Sequence, residues 1–267
     1  MVNISDTKRI VVKVGTSTIA YNTGNLNIRA MRRLTRILSD VKNSGKEIIL
    51  VSSGAVGLGR GLLGIKEKPV DIPTKQACAS VGQCELMHIY DDMFGKYSVT
   101  VGQILLTRNV LTRSESIENV KNAFNRLLEL GVIPIVNEND TVAVDELIPG
   151  YGENDTLAAI VAKIVEADLF VIMSDINGLY DSDPHTNPNA KIIPIVEDID
   201  EHIEEIASGA KSSLGTGGMA TKINAAKIST SSNIPMLIMN GSDPEELYNL
   251  FDNKLIGTNN CTLFKCK

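Results

Sequence analysis

The residues with the clearest chemical use lie at positions 215–222, which read Gly-Thr-Gly-Gly-Met-Ala-Thr-Lys. Glycine has no Cβ, so a glycine-rich backbone can approach a ligand closely and direct several N–H groups at one anion. The residues after Met219 favour a helix, whose amino end carries the positive end of the helix dipole, and Lys222 adds a full charge. The stretch therefore predicts a loop that binds a polyphosphate.

Two features limit this interpretation. The stretch is not a P-loop, because in that motif Gly-Lys is followed directly by Ser or Thr. A flexible surface loop that caps a helix has the same composition, so the glycines alone leave both interpretations open.

Other chemically useful residues follow predicted strands. Lys13 lies within an apolar segment and is followed by Gly15, and burial of an ammonium group is costly unless it is paired or faces a ligand. The alternative is an edge-strand lysine that reaches solvent. Ser53 and Gly54 follow the second predicted strand, where small residues suit either a close ligand or an ordinary strand-to-helix turn.

Two polar clusters point to a small ligand. Asn-Glu-Asn-Asp at 137–140 directly follows a predicted strand, and Glu-Asn-Asp at 153–155 begins a predicted helix. Helix capping alone would explain Asn154 or Asp155. Together with Asp140, however, these amide and carboxylate groups suit a zwitterion or the organisation of cations.

The elements that must position these residues alternate between strand and helix. Nearly continuous apolar runs predict strands covered on both faces, at 9–14, 46–52, 100–106, 132–136, 168–174 and 234–239. Amphipathic patterns predict helices around 31–41, 120–128 and 157–165. This order predicts a largely parallel sheet between layers of helices, with ligands outside the carboxyl ends of the strands.

Composition excludes several classes of protein. The chain has 267 residues, a net charge of −6 and no tryptophan, which argues against a nucleic-acid-binding protein. It contains no long apolar run, so we expect a soluble cytoplasmic protein without membrane contact. Its four cysteines and three histidines are scattered, so no metal site is predicted and reduced thiols are expected.

A literal G-x-G-x-x-G pattern occurs at 59–64. In a dinucleotide-binding protein these glycines fill the turn directly after a strand, and an acidic residue follows about 20 residues later. Neither condition holds here, so we interpret the pattern as unrelated to dinucleotide binding.

Ser174 and Asp175 follow the fifth predicted strand and begin an acidic turn. The oxygen ligands of this turn lack the spacing of a calcium-binding loop, so a solvated turn is the simplest interpretation.

Taken together, these segments resemble the amino acid kinase family. The residues that carry the resemblance are VVKVGTST (11–18), VSSGA (51–55), NEND (137–140), GEND (152–155), SDINGLYDSDP (174–184) and GTGGMATK (215–222). The resemblance implies a three-layer α/β/α sandwich that transfers the γ-phosphate of ATP to the side-chain carboxylate of L-glutamate. The product would be L-glutamyl 5-phosphate, the first intermediate of proline synthesis.

The resemblance also implies roles for individual residues. Lys13 and Lys222 would neutralise charge on the transferring phosphoryl group, and Asp155 would hold both lysines. The residues that would bind glutamate are Ser53, Gly54, Asp140 and Asn154. Those that would bind the nucleotide are Lys13, Gly15, Ser174, Asp175, Thr216, Gly217, Gly218, Met219, Ala220, Thr221 and Lys222, with Mg²⁺ held largely by phosphate oxygens and water.

At the level of the whole chain, the resemblance implies one kinase domain over 1–267. An amino-acid-binding lobe would cover about 1–165, and a nucleotide-binding lobe about 166–267. Many members of the family continue into a PUA domain, for which no residues remain here. L-proline is a possible feedback inhibitor, with the loop 141–152 as the candidate for that sensitivity, and a homo-oligomer (dimer or tetramer) is expected.

Three rival functions remain at this stage. One is another member of the family, acting on aspartate, acetylglutamate, a nucleoside monophosphate or another carboxylate or carbamate. The second is a nicotinamide-dependent oxidoreductase that uses the glycines at 59–64. The third is an inactive regulatory protein that binds the same ligands, although Lys13, Asp155 and Lys222 are all present.

Overall fold

The computed structural model describes residues 4–21, 23, 25–108, 110–143, 154–184, 186–209 and 218–266. The strands are β1 (Arg9–Val14), β2 (Glu47–Ser52), β3 (Val101–Leu106), β4 (Ile133–Glu138), β5 (Leu169–Ser174), β6 (Ile195–Val196), β7 (Met236–Asn240) and β8 (Cys261–Phe264). The helices are α1 (Thr16–Ile19), α2 (Ile28–Asn43), α3 (Ala55–Leu62), α4 (Ile72–Gly95), α5 (Ser114–Glu129), α6 (Asn154–Ile164), α7 (Glu201–Gly209), α8 (Met219–Ser231) and α9 (Glu246–Phe251).

The longer strands form where continuous apolar runs predicted them. Every residue of β5 is buried, as expected for a strand covered by helices on both faces. The six predicted strands agree with β1, β2, β3, β4, β5 and β7 to within two residues at each end. The prediction missed β6 and β8, whose two and four residues are too short to show a period.

The chain folds as two compact units. One comprises Val14–Asn154, here called the central unit, and the other comprises Met1–Lys13 with Asp155–Lys267, here called the terminal unit. The predicted lobes, about 1–165 and 166–267, differ from this division. The difference arises because most of β1 groups with β5 in the terminal unit, where the Asp168 carboxylate accepts hydrogen bonds from the backbone N–H groups of Lys8 and Arg9.

In the central unit, β3, β4 and β2 lie side by side in that order and are parallel. Parallel pairing brings their carboxyl ends to one edge, so residue 53 after β2 and residues 139–140 after β4 leave the sheet on the same side. The longest helix of the unit, α4, was not predicted. Its amino terminus nevertheless carries a recognisable signal, because the Asp71 side chain accepts a hydrogen bond from the Thr74 N–H and Pro73 stands in the first turn.

The glycines of the G-x-G-x-x-G pattern have a packing role. Gly59 lies within α3, and a Cβ at this position would stand 1.8 Å from the Cys78 carbonyl oxygen of α4. A Cβ at Gly82 of α4 would stand 1.9 Å from the Ala55 carbonyl oxygen of α3. The two helices therefore touch backbone to backbone, which confirms that the pattern is not a strand-following dinucleotide turn.

In the terminal unit the strand order is β1, β5, β7, β8, β6. β5 and β7 are parallel, whereas β8 runs antiparallel to β7 and parallel to β6. Most pairings in the two units are parallel and helices alternate with strands, so the predicted α/β class with a mainly parallel sheet is confirmed.

Candidate active site

Three buried charged side chains of the terminal unit form a cluster. Lys13 is 8% exposed, Asp155 1% and Lys222 7%. The Nζ atom of Lys13 lies 2.7 Å from Oδ1 of Asp155, and the Nζ atom of Lys222 lies 3.2 Å from Oδ2. The structure therefore brings together the three residues that the resemblance singles out for catalysis.

Three different elements supply this cluster. Lys13 belongs to β1, Asp155 to the first turn of α6 and Lys222 to the first turn of α8. The Thr221 hydroxyl lies 3.0 Å from Oδ2 of Asp155 and 2.8 Å from the Gly218 carbonyl oxygen, so its single proton serves one acceptor at a time. The carboxylate of Asp155 thus links β1 to the first turns of α6 and α8.

The electrostatics of Asp155 follow from this geometry. Burial alone would raise the pKa of the carboxyl group, but attraction to Lys13 and Lys222 and hydrogen bonds from Lys13 and Thr221 outweigh it, and the pKa falls to about 2. Asp155 is therefore ionised at neutral pH. One carboxylate between two ammonium groups leaves the cluster with a surplus positive charge, which suits an anionic ligand.

The lowered pKa of Asp155 predicts a pH dependence of stability. Because folding lowers it from 3.8 to about 2, the stabilisation is fully present above about pH 4 and is lost as pH falls through about 2. We expect the difference in free energy of unfolding between wild type and Asp155→Asn to shrink by about 2 kcal/mol from about pH 5 to about pH 2.

Urea denaturation at a series of pH values measures this difference. The exposed pair of Asp252 and Lys254, 2.6 Å apart, provides the control, and Asp252→Asn should differ little from wild type throughout. A constant difference for Asp155→Asn over this pH range would contradict the prediction.

A second polar cluster lies within the central unit. The Nδ2 atom of Asn154 donates to Oγ of Ser53 at 2.7 Å and to Oδ1 of Asn137 at 3.1 Å. Asn137 in turn donates from Nδ2 to Oε1 of Gln83 at 2.8 Å. The side chains of Asn154, Asn137 and Gln83 form a chain of amide hydrogen bonds, here called the amide relay.

The contacts of Asn154 bear on the capping interpretation. The side chain of Asn154 bonds to Ser53 and Asn137 and not to a backbone N–H of its own helix, so the contacts seen are not those of a helix cap. Because Oγ of Ser53 accepts from Asn154, its own proton remains to donate to a carboxylate. The Oδ1 atom of Asn154 is buried without a hydrogen-bond partner among the described residues, and it can accept from an ammonium group.

Gly54 lies two residues beyond the end of β2, and Asp140 follows β4. Gly54 has φ of +103°, and a Cβ there would stand 2.9 Å from Cδ1 of Ile19, so the turn after β2 requires glycine. Asp140 is buried and lies two residues beyond the end of β4. Both positions accord with the predicted amino-acid site, although the loop 141–152 extends beyond the described residues after position 143.

The predicted nucleotide residues lie at three places. Ser174 ends β5 and donates from Oγ to the Asp175 carboxylate at 3.0 Å. Gly218 is the N-cap of α8, and Met219, Ala220 and Thr221 form its first turn. Thr216 and Gly217 lie outside the described residues. Gly15 is the N-cap of α1 in the central unit.

The part of the chain that the structure describes offers no cluster of carboxylates for a magnesium ion. Within the described ranges, no three His, Cys, Asp or Glu side chains are grouped to hold a metal ion. The Asp155 carboxylate is already engaged by two lysines. The donor set therefore fits Mg²⁺ that arrives with the nucleotide, bound by phosphate oxygens and water.

Sequence reasoning missed two residues of the amide relay. Asn137 belongs to the NEND segment but was not singled out, and Gln83 lies on the unpredicted helix α4. Tyr90 of α4 was also missed, although its buried hydroxyl lies 2.8 Å from Oγ of Ser52. Only a correct prediction of α4 would have placed Gln83 and Tyr90 on one face, seven positions apart.

A search of the described helices for one that is both long and apolar enough to cross a bilayer found none.

Solved structures share the fold. UMP kinase from Ureaplasma parvum superposes with a TM-score of 0.63 at 16% identity, covering 97% of this chain and 99% of that one. An isopentenyl phosphate kinase of T. acidophilum gives 0.64 at 17% identity, covering 97% and 100%. At such identities the likeness shows the fold alone, and it confirms the predicted three-layer α/β/α class.

Curated relatives are much more similar in sequence. The glutamate 5-kinase of Clostridium perfringens is 52% identical over 257 residues, covering 96% of this chain and 96% of that protein. The glutamate 5-kinase of Listeria monocytogenes serotype 4b (strain CLIP80459) is 50% identical over 258 residues, covering 96% and 94%. The model of the amino acid kinase family matches residues 8–240. With this match and these relatives, the chain belongs to the amino acid kinase family.

Proposed function

We propose that this protein phosphorylates the side-chain carboxylate of L-glutamate with ATP, giving L-glutamyl 5-phosphate and ADP in the first step of proline biosynthesis. The observation that carries the proposal is the near-complete match to proteins named glutamate 5-kinase at about half identity. The buried cluster of Lys13, Asp155 and Lys222 supports it, because a surplus positive charge is what a phosphoryl group in transfer requires.

The chemistry needs little covalent work from the protein. A carboxylate is already a nucleophile at neutral pH, so no general base is required. One carboxylate oxygen attacks the γ-phosphorus, the bond to the β,γ-bridging oxygen breaks, and ADP leaves with that electron pair. Lys13 and Lys222 neutralise the charge on the transferring group, and Asp155 holds both lysines in place.

Ser53 and Asn154, at one end of the amide relay, bind the amino acid in this proposal, together with Asp140 and Gly54. The Ser53 hydroxyl donates to a carboxylate, and Oδ1 of Asn154 accepts from the α-ammonium group. Asp140 adds a negative charge for that ammonium, and Gly54 allows the backbone to turn beside the ligand. A donor beside an acceptor is the pattern that complements a zwitterion.

The nucleotide is held by the glycine-rich segment before α8. Gly218 and Thr221 begin this helix, and Thr216 and Gly217 would continue the same loop around the phosphates. Ser174 and Asp175 lie near the nucleotide in this proposal, and Gly15 donates its N–H to the transferring group. Mg²⁺ bound with the nucleotide would supply further positive charge to the phosphates.

The wider context is also part of the proposal. The protein would act in the cytoplasm as a homo-oligomer, with no nucleic acid among its partners. L-proline would inhibit it by competing near the glutamate site, with the loop 141–152 as the sensitive segment. A chimera with this loop exchanged tests the assignment, and unchanged proline inhibition in the chimera would exclude it.

Release of ADP with a panel of acceptors tests the substrate. We expect L-glutamate to be preferred at least about tenfold over aspartate, acetylglutamate and UMP. The reason is that Ser53 and Asn154 hydrogen-bond a carboxylate and an ammonium group, which these compounds lack or place differently. Chelation of Mg²⁺ should abolish turnover. Preference for another acceptor would move the protein to a different branch of the family. Binding of ATP without turnover on any acceptor would favour a regulatory protein.

A further inference from the structure

Gln83 is a buried side chain to which the proposed reaction assigns no role. It is 9% exposed, its Oε1 accepts from Asn137 at 2.8 Å, and its Nε2 is buried without a hydrogen-bond partner in the described ranges. A polar side chain buried in this way on a long helix is costly to retain for packing alone. Its place at the end of the amide relay indicates another use.

The backbone carbonyl of Ser52 fixes the direction of the relay. This oxygen lies 3.5 Å from Nδ2 of Asn154, and since a carbonyl can only accept, the amide of Asn154 must turn its NH₂ group to that side. Asn137 must then present Oδ1 to Asn154, which places its own NH₂ group against Gln83. Each amide orientation therefore follows from its neighbour.

Gln83 provides the acceptor that ends the relay. Without Oε1 of Gln83, the NH₂ group of Asn137 would lose its buried partner, and the Asn137 side chain would be held less firmly beside Asn154. Oδ1 of Asn137 would then leave its place 3.1 Å from Nδ2 of Asn154 more readily. Asn154 would lose part of the support that, together with Ser53, holds its amide in place.

We propose that Gln83 is a positioning residue for the amino-acid substrate, which acts through Asn137 to keep Oδ1 of Asn154 directed at the substrate's α-ammonium group. The inference rests on the proposed function, because it takes an α-amino acid as the acceptor of the phosphoryl group. Gln83 itself takes no part in the chemical step.

Comparison of glutamate with glutarate tests this role. Glutarate has both carboxylates of glutamate but no ammonium group, so it cannot use Oδ1 of Asn154. In Gln83→Met we expect the KM for glutamate to rise about tenfold, while the inhibition constant of glutarate and the KM for ATP stay within about twofold of wild type. The informative quantity is the ratio of the KM for glutamate to the inhibition constant of glutarate.

Two further variants keep the test sharp. Tyr90→Phe, on the same face of α4, removes the buried bond to Ser52 but leaves the relay intact, so it should lower Tm without changing the ratio. Gln83→Glu keeps an acceptor for Asn137, so its ratio should stay within about threefold of wild type. If Gln83→Met does not fold, Gln83→Ala, which also removes the acceptor for Asn137, takes its place.

The outcomes separate this inference from the proposed function. An equal rise of both constants in Gln83→Met would indicate general disturbance of the site and would overturn the inference. A tenfold rise of the ratio in Gln83→Glu would overturn it as well. If the wild-type protein does not phosphorylate glutamate, the proposed function fails first and the inference fails with it.

Discussion

Lys222→Ala should lower kcat about 10²- to 10³-fold and leave the KM for glutamate nearly unchanged. The substitution removes one of the two cations that flank Asp155, so the cluster loses its surplus positive charge. That charge matters most when the phosphoryl group is in transfer, and the loss should therefore appear in kcat. Initial rates of ADP release at saturating Mg-ATP measure it.

Lys227→Ala is the matched control, because it removes a lysine from the same helix, α8. Lys227 is partly exposed and pairs with Glu204 at 2.6 Å, whereas the cluster of Lys13, Asp155 and Lys222 is buried. Its rate should stay within about twofold of wild type, since exposed ion pairs contribute little. A folded Lys222→Ala protein with a rate close to that of Lys227→Ala would remove Lys222 from catalysis.

Gly82→Ala should destabilise the protein by about 3 kcal/mol or more, and lower Tm by about 10 °C. The added Cβ would stand 1.9 Å from the Ala55 carbonyl oxygen and 2.5 Å from the Gly59 N atom. Both are backbone atoms, so relief requires α3 and α4 to move apart. Thermal unfolding followed by circular dichroism measures the loss.

Gly95→Ala provides the control on the same helix. A Cβ at Gly95 would have no heavy atom within 4 Å, so the substitution tests alanine for glycine without a clash. We expect little change or a small gain in Tm, because alanine is the better helix former. Equal Tm values for the two variants would show that α3 and α4 do not depend on close backbone contact.

The sequence predicted the strands well because buried parallel strands are continuous apolar runs. β5, with every residue buried, is the clearest case. It did not predict α4, because the buried face of that helix is not consistently apolar. Its buried residues lie on one face, but that face carries Gly82 and Gln83 beside Leu86 and Phe94, while the apolar Val81 is exposed on the other, so hydrophobic periodicity gave no signal. The sequence also did not predict the division into two units, because that division depends on which strands lie beside β1.

The candidate site was predictable where chemistry and strand ends coincide. Lys13, Asp155 and Lys222 were found as unusual charges in an apolar strand or at helix starts, and the structure groups them. Gln83 was not found, because its importance depends on a hydrogen bond to Asn137, 54 positions away in the chain. No local pattern records such a contact.

Trapping of an acyl phosphate tests the central claim most directly. The pure protein is incubated with Mg-ATP, hydroxylamine and glutamate, and the product is identified by mass spectrometry. Our account predicts the hydroxamate of the side-chain carboxylate of glutamate, formed in equal amount to ADP and only when both substrates are present. If folded protein that binds ATP gives no hydroxamate with glutamate, or gives it only with another acid, the proposed reaction is wrong.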